Sequence, residues 1–567
     1  MCVVLSPEAK NLGSGGKGDI AVNGQSDSVS ESDIEDVLTL IDLYLERIMT
    51  EQGMPGLALA ITDREQLLAT RNYGYADLGA LTPVADDTLF QHGSIGKSFT
   101  AICLLQLAAE GAVDLHAPVT TYLPWFAVGS AHPPITIHHL LSHTGGIIEG
   151  TDFALDSWYE VWALREAAAA PPGAHCWYSN VGYKALGYLL EAVTGKPYAQ
   201  VIQERILDPL EMTRSAGEIR HGLRRRLAVG YVPFYDDRPW RPAHGFAPAT
   251  WLETNTGDGP ISGTAADLAT YLRMLLNGGA GPNGSILSPE SFALLRAPHA
   301  ELEPDVPYGY GIFEFEQDGR RLFGHGGDMV GYVASMLGDA EAGIGAVVLI
   351  NGMSDATPVA EFALRAVAAA LAGAPLPELP PATPGIALAE FAGVYRGEHA
   401  ELTVASEHGR LYLTAGEERV SLEPMTVPAI PDAFIADHPD FALFPLRFGR
   451  DGTGSVTELT HGGDWYAVDA YEGARTFETP PEWDAYPGHY RSWNPWLSNF
   501  RVVIRKSDLL LIWPSGYEYP LTPDDDGFRS GDDPASPEHI AFDTIVDGQA
   551  LRARLAGGAD YYRFFTP

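Results

Sequence analysis

Lysine is scarce in this chain. Of 567 residues only six are lysine, at positions 10, 17, 97, 184, 196 and 506, so a lysine inside the folded body carries more information than usual. Basic residues as a class are outnumbered: Lys plus Arg is 36 against 74 for Asp plus Glu, a formal net charge of −38. A phosphate backbone would be repelled by most of that surface, which argues against a nucleic-acid binder. The one tight basic run, Arg224-Arg225-Arg226, reads as a solvated helix end. Cysteine is nearly absent, with Cys2, Cys103 and Cys176 far apart. That excludes a disulfide framework and a Cys-rich zinc site and leaves buried thiols. No run approaches the roughly 18 apolar residues of a membrane span. Residues 1–36 are Gly/Ser/Asp-rich, with no apolar stretch behind a basic start, so they read as a disordered leader rather than a secretory signal. A cytoplasmic protein with no membrane partner is the expectation.

Apolar residues make up 46 % of the chain, enough for one sizeable core and smaller ones. An apolar helical stripe runs from Ile34 to about Glu51. Two strands follow, Leu57–Thr62 and Gln66–Tyr75, joined by Asp63-Arg64-Glu65. A mostly helical region then extends to about Gly279. Strand signals return at Tyr308–Phe315, Arg320–His325, Gly331–Gly338 and Gly345–Asn351, and a helix at about Pro358–Leu371 closes the unit. Strands at both ends with helices between them predict an α/β domain over 37–373 whose sheet joins distant segments. Five prolines in 374–385 mark a stiff linker.

Beyond the linker the chain repeats itself. Gly393-Val-Tyr-Arg396 matches Gly488-His-Tyr-Arg491, and Leu411-Tyr-Leu413 matches Leu509-Leu-Leu511. Leu422-Glu-Pro424 matches Leu521-Thr-Pro523, and Asp464-Trp-Tyr466 matches Asp560-Tyr-Tyr562. Four landmarks in one order, offset by 95 to 99 residues, predict two like β units, 386–478 and 479–567. Each has strands enough for a small antiparallel barrel or half of a larger one. The tail holds no nucleophile–base arrangement of its own and is expected to tune selectivity only.

Ser94 and Lys97 open a helix that runs to Glu110 and is apolar nearly all round after its first turn. Residues at i and i+3 share a helical face, so the hydroxyl and the amine stand together at its N-terminal end. Backbone N–H groups there can stabilise an oxyanion, and a lysine entering an apolar environment tends to lose its proton and become a base. Ser14-Gly-Gly-Lys17 has the same spacing without a helix to give it meaning. Taken alone, Ser94 and Lys97 also read as an N-cap and a surface charge. Tyr178-Ser-Asn180 precedes a helix at about Val181–Thr194. In an extended segment residues i and i+2 project the same way, so Tyr178 and Asn180 can face one cavity, or be a packed ring and a helix cap. His325-Gly326-Gly327 ends a strand, and its glycines leave room for another backbone; a Gly-rich hairpin is the plain alternative. His139-Leu-Leu-Ser-His143-Thr-Gly-Gly146 reads as structural. Its two histidines at i, i+4 lack the Glu and third ligand that a metal site would need, so no metal and no cofactor is expected.

Together these elements resemble the serine β-lactamase and penicillin-binding superfamily, in the branch of class C β-lactamases, family VIII esterases and D-aminopeptidases. The resemblance covers about residues 37–373, with the four motifs in the family's order. It implies a β-lactamase/transpeptidase-like α/β (α+β) domain, an antiparallel sheet with a helical subdomain. The β tail is similar to the two small barrels that follow the catalytic domain in D-aminopeptidases. Carried over, Ser94 would be the nucleophile, Lys97 its base and Tyr178 the proton shuttle, with Asn180 holding the acyl amide or the lysine. His325, Gly326, Gly327 and Asp328 would line the substrate, the N–H groups of Ser94 and Asp328 forming the oxyanion hole. The expectation is a serine hydrolase acting on a small molecule or short peptide, a peptidase or carboxylesterase ahead of a β-lactamase. A lysine at 325 would supply a fixed charge for a substrate carboxylate, and a neutral histidine does not. A penicillin-recognising sensor is the non-catalytic alternative, and a homo-oligomer is left open. The absence of Gly-x-Ser-x-Gly speaks against the α/β-hydrolase route.

Overall fold

The computed structural model describes residues 31–150, 157–167, 169–380, 387–525 and 527–565. Residues 1–30 of the expected leader, with Ser14 and Lys17, and the linker from 381 onward lie outside them; residues 31–36, expected to belong to the disordered leader, instead open the first helix, and residues 374–380 run without regular structure. Helices that matter here are α1 (Glu31–Gln52), α2 (Gly96–Ala109), α3 (Ile137–Leu141), α4 (Ser157–Ala163), α5 (Asn180–Thr194), α6 (Ala265–Leu276) and α7 (Thr357–Leu371). The large sheet of the first domain has nine strands: β1 (Gly56–Asp63), β2 (Leu67–Asp77), β3 (Thr82–Pro83), β4 (Ala300–Glu303), β5 (Val306–Tyr308), β6 (Phe313–Gln317), β7 (Arg320–Met329), β8 (Tyr332–Asp339) and β9 (Ile344–Ile350). They pair antiparallel in the order β4-β5-β6-β7-β8-β9-β1-β2-β3. Distant ends of the domain therefore meet at its centre, where Leu57 faces Ile350 and Ile61 faces Ala346.

The alternation of β1 and β9 divides the core. Leu57, Leu59, Ile61, Val348 and Ile350 pack under α1 and α7 on one face. Ala58, Ala60, Val347 and Leu349 face α2, α6 and the helical region on the other. Helix α2 is buried on every side, as its all-round apolar sequence requires.

Two strand boundaries differ from the sequence reading. The single strand expected over Tyr308–Phe315 is two, β5 and β6, separated by a turn that Gly309 closes by donating to the Ile312 carbonyl at 2.7 Å. The strand expected to stop at His325 continues to Met329. Gly326 and Gly327 stay in the ladder opposite Ser335 and Ala334, and the reversal falls at Val330-Gly331, where Gly331 takes φ +84.

Each unit of the tail closes into an antiparallel barrel of eight strands, the first from Gly393–Arg396 to Asp464–Ala467, the second from Gly488–Arg491 to Ala559–Arg563. All four repeated landmarks fall on corresponding strands, the first, third, fourth and eighth of each barrel. Both barrels dock on the first domain. Arg241 pairs with Glu423 and Asp437 of the first barrel at 2.8 and 2.9 Å, and Asn499 of the second donates to the Asp236 carbonyl at 2.8 Å. Among the described residues no helix is long and apolar enough to cross a membrane.

Candidate active site

Ser94 sits in the short turn Gly93–Ile95 that leads into α2, and β7 lies directly against it. Gly93 has φ +56, and a Cβ there would come within 2.5 Å of Asp328 N. A Cβ on Gly327 would lie 1.9 Å from the His92 carbonyl oxygen and 3.1 Å from Ser94 N. Only glycine at both positions allows the strand and the turn to touch backbone to backbone. That approach brings the main-chain nitrogens of Ser94 and Asp328 to one place. The room at Gly327 is taken by this chain's own backbone, whereas Gly326 is the open one of the pair. Strand β6 pairs with β7 only as far as Gly324, so from His325 onward that edge of β7 faces the turn.

Lys97, in the first turn of α2 and one turn after Ser94, is fully buried. Among the partners of its Nζ are Ser94 Oγ at 2.9 Å, Asn180 Oδ1 at 2.6 Å and the Asp258 carbonyl at 3.0 Å. The amide and the carbonyl oxygens can only accept. A neutral amine has two N–H bonds and one lone pair, so it satisfies those two oxygens and turns the lone pair to the Ser94 hydroxyl. Once protonated, it donates to all three. The nitrogen can therefore take the serine proton without changing partners, which is the geometry of a general base. The Tyr178 ring covers the amine, its centroid 4.7 Å from Nζ.

Asn180 is free for this task because it is not the helix cap. Ser179 caps α5, its Oγ accepting from Gly182 N–H at 3.0 Å and donating to the Ile148 carbonyl at 2.7 Å. Asn180 opens the helix behind it and donates its own N–H to the Glu149 carbonyl at 2.8 Å.

The motif histidines have separate tasks. His139 completes the cap of α3, its Nδ1 accepting from Thr136 N–H at 3.2 Å. His143, buried with φ +56, accepts the Ser179 N–H on Nδ1 at 2.9 Å. Its proton therefore sits on Nε2, which reaches Tyr308 Oη at 3.1 Å. Tyr308 Oη lies 3.3 Å from His325 Nε2, and His325 Nδ1 faces the Gly326 carbonyl at 2.5 Å. The Ser179 N–H makes His143 the donor to Tyr308, and the Gly326 carbonyl leaves His325 Nε2 as an acceptor facing the Tyr308 hydroxyl, which Tyr183 also meets. Both rings are neutral. Burial first, with Lys97 adding to it, pushes His143 well below the usual imidazole range and His325 down to about 3.

The chain of rings corrects one expectation. The His325 side chain does not stand beside a substrate: it is 3 % exposed, packed between Phe313, Tyr308 and Tyr178. The open cleft, about 290 Å³, is lined instead by Ser94, Asn180, Thr254, Thr256, Asp258, Asp328 and Met329, with Gly93, Gly259 and Pro260. Two of these are carboxylates and none is a cation. Ser94, Lys97, Tyr178, Asn180 and the Gly326–Asp328 backbone thus converge from three distant segments. Asp258 was not expected from sequence; its one signal is its place between Gly257 and Gly259 in a loop that closes on α2. Of the two folded-body cysteines, Cys103 is buried and Cys176 half-buried.

Comparison with known proteins agrees with this geometry. A match to the family described as Beta-lactamase spans residues 41–371. Penicillin-binding protein 4 of Amycolatopsis lactamdurans is 31 % identical over 378 residues, 62 % of this chain and 96 % of that protein. Esterase EstB of Burkholderia gladioli is 31 % identical over 226 residues, 35 % of this chain and 55 % of the esterase. Among solved structures, the octameric penicillin-binding protein homologue from Pyrococcus abyssi superposes with a TM-score of 0.55 at 26 % identity, covering 76 % of this chain and 99 % of its own. With the motifs in order, the sheet closed by distant strands and more than half its length matched, this chain belongs to the Beta-lactamase family.

Proposed function

We propose that the protein is a serine hydrolase that cleaves amide or ester bonds through an acyl-enzyme on Ser94. Ser94 Oγ attacks the carbonyl while its proton passes to the lone pair of Lys97. The main-chain N–H groups of Ser94 and Asp328 hold the oxyanion. Tyr178, over the amine, relays the proton to the leaving group as the acyl bond breaks, and water then releases the acid. Asn180 holds Lys97 from the side and can meet the acyl amide of the substrate. The observation that carries this reading is the set of partners around Lys97 Nζ, two pure acceptors and the serine hydroxyl.

The cleft wall guides the substrate class. Penicillins and C-terminal peptide substrates bear a carboxylate, and a wall with Asp258 and Asp328 but no cation offers it repulsion. The reading is therefore a peptidase, D-aminopeptidase-like, or a carboxylesterase, acting on a short peptide or small molecule. The similarity to a penicillin-binding protein favours a second reading, a β-lactamase or penicillin-recognising sensor. The octameric state of the Pyrococcus abyssi homologue supports a homo-oligomer, which light scattering of the full chain tests.

Intact-mass spectrometry after a fluorophosphonate probe tests the chemistry. Wild type gains one label and Ser94→Ala gains none; label retained on Ser94→Ala overturns the assignment. Turnover of p-nitrophenyl esters, D- and L-aminoacyl anilides and nitrocefin then separates the classes. A single stoichiometric burst without turnover identifies the sensor.

A further inference from the structure

The mechanism uses one of the six lysines, and a second is buried beside it. Lys184, 2 % exposed, lies on α5 four residues after Asn180 and so on the same face of the helix. Its ammonium meets Glu160 Oε2 of α4 at 2.5 Å and Asp258 Oδ2 at 3.9 Å. Thr256 donates its hydroxyl to the other Asp258 oxygen. Asp258 is the residue whose carbonyl accepts from Lys97. Two lysines thus converge on one aspartate, Lys184 at its carboxylate and Lys97 at its carbonyl. Taking a cation and two carboxylates out of water is costly, and packed apolar side chains would fill the space at least as stably. A buried ion cluster next to a base therefore asks for a task.

We propose that Lys184 is a positioning residue for Lys97, anchoring Asp258 so that its carbonyl holds the amine and balancing the Glu160 and Asp258 charges beside it. The inference rests on the reading of Lys97 as the base of Ser94. Removing Lys184 leaves the surroundings of Lys97 one charge more negative and holds it more firmly as ammonium. Removing the Glu160 charge leaves them one charge less negative and favours the neutral amine. The other groups facing Lys97 are the same in each case. His143 and His325 are neutral, burial holds the Tyr183 phenol well above its ordinary value, the Tyr178 ring lies over the amine, and Asp328 stands across the cleft.

The test is the acidic limb of kcat/KM against pH for a neutral p-nitrophenyl ester, measured on the full chain. Lys184→Met is expected to move the limb up by about one pH unit, and Glu160→Gln down by a similar amount. Lys184→Arg keeps the wild-type limb. The double variant Lys184→Met/Glu160→Gln cancels the two charge changes and returns the limb toward wild type, where purely structural damage would add. Should Lys184→Met fail to fold, Glu160→Gln and Lys184→Arg still carry the sign test. Fluorophosphonate labelling separates the two levels. Ser94 labelled with every limb unmoved, or with all variants shifted one way, overturns the role of Lys184 alone; no label on wild-type Ser94 overturns the parent reading.

Discussion

Glu538 Oε1, on the second barrel, accepts the main-chain N–H of Glu149 at 2.6 Å. The carbonyl of that same Glu149 accepts the N–H of Asn180 at 2.8 Å, and Asn180 Oδ1 accepts from Lys97. One residue therefore separates the barrel from the amide that holds the catalytic lysine. Ile148, which receives the Ser179 hydroxyl, is close enough to the second barrel that a Cβ on Gly557 would lie 2.7 Å from its Cδ1. Read from the sequence, the tail tunes selectivity only; this contact gives it a hold on the catalytic segment as well. Glu538→Ala removes the acceptor, and losing one such hydrogen bond is worth about 1 kcal/mol, so kcat is expected to fall roughly fivefold on every substrate. Glu538→Gln keeps an acceptor and stays near wild type. A change confined to the ranking of substrates, with kcat on a small ester untouched, would contradict the clamp.

The same contact has a pH signature. Burial first, then the charge of Glu149, pushes the Glu538 carboxyl up to about 7 against the helping Glu149 N–H. Between its ordinary value and about 7 the unfolded chain ionises this group while the folded chain keeps it protonated. The unfolded state then binds fewer protons, so stability falls as pH rises through that window. Glu538→Gln has nothing to ionise. Its melting temperature relative to wild type is expected to climb from pH 5 to pH 8; a constant difference across that range would show that Glu538 does not titrate there.

Lys97→Arg tests the base. Guanidinium cannot give up its proton, and its planar fork does not fit a site built around one nitrogen. Acylation by a fluorophosphonate or a p-nitrophenyl ester is expected to drop by about 10³-fold or more. Substantial activity in a folded Lys97→Arg would make another residue the base.

Much of this was legible in the sequence because it is local. The Ser94–Lys97 spacing, the cap-and-helix grammar around Asn180 and the repeat of the tail are all patterns within a few residues or at one fixed offset. The two like units follow from four landmarks that land on corresponding strands, while the choice between one barrel each and half of a larger one was left to the structure. What was not legible depends on contacts between distant segments. That Gly327 makes room for His92 and not for a substrate follows from how β7 meets the turn before α2, which no spacing encodes. The task of His143 depends on Tyr308, 165 residues on, and on His325, 17 residues beyond that. Lys184 stood out only by rarity, and its partners Glu160 and Asp258 lie on other segments.

The glycine pair on β7 makes a contrast. A Cβ on Gly327 has no room against the His92 carbonyl, and to admit it the strand must move off Ser94. Gly327→Ala is expected to lose about 10²-fold or more in kcat, since displacing reacting groups by about an ångström has that effect. At Gly326 the nearest atom to a Cβ is the Ala334 carbonyl oxygen at 3.8 Å, an ordinary contact. Gly326→Ala is expected to keep its melting temperature. If the two variants behave alike by calorimetry and by ester hydrolysis, the approach of β7 to the turn is not what sets the site.

The last prediction concerns the charge of the cleft. From sequence, position 325 is where a lysine would create a carboxylate site, yet the structure buries that side chain behind Tyr178, between two neutral rings. His325→Lys therefore puts an ammonium into the core and breaks the bond from Tyr308, with loss of stability as its main effect. The charged residue of β7 that lines the cleft is Asp328. Asp328→Asn keeps the main-chain N–H of the oxyanion hole and removes one negative charge from the cleft. A like charge a few ångströms away in a half-wet cleft is worth about 1 kcal/mol, so the ratio of kcat/KM for nitrocefin to that for a neutral p-nitrophenyl ester is expected to rise roughly fivefold. Cationic aminoacyl anilides are expected to lose by a similar factor. If Asp328→Asn folds and leaves both ratios where they were, the carboxylates of the cleft do not select the substrate, and the preference for a peptidase or esterase over a β-lactamase loses its physical basis.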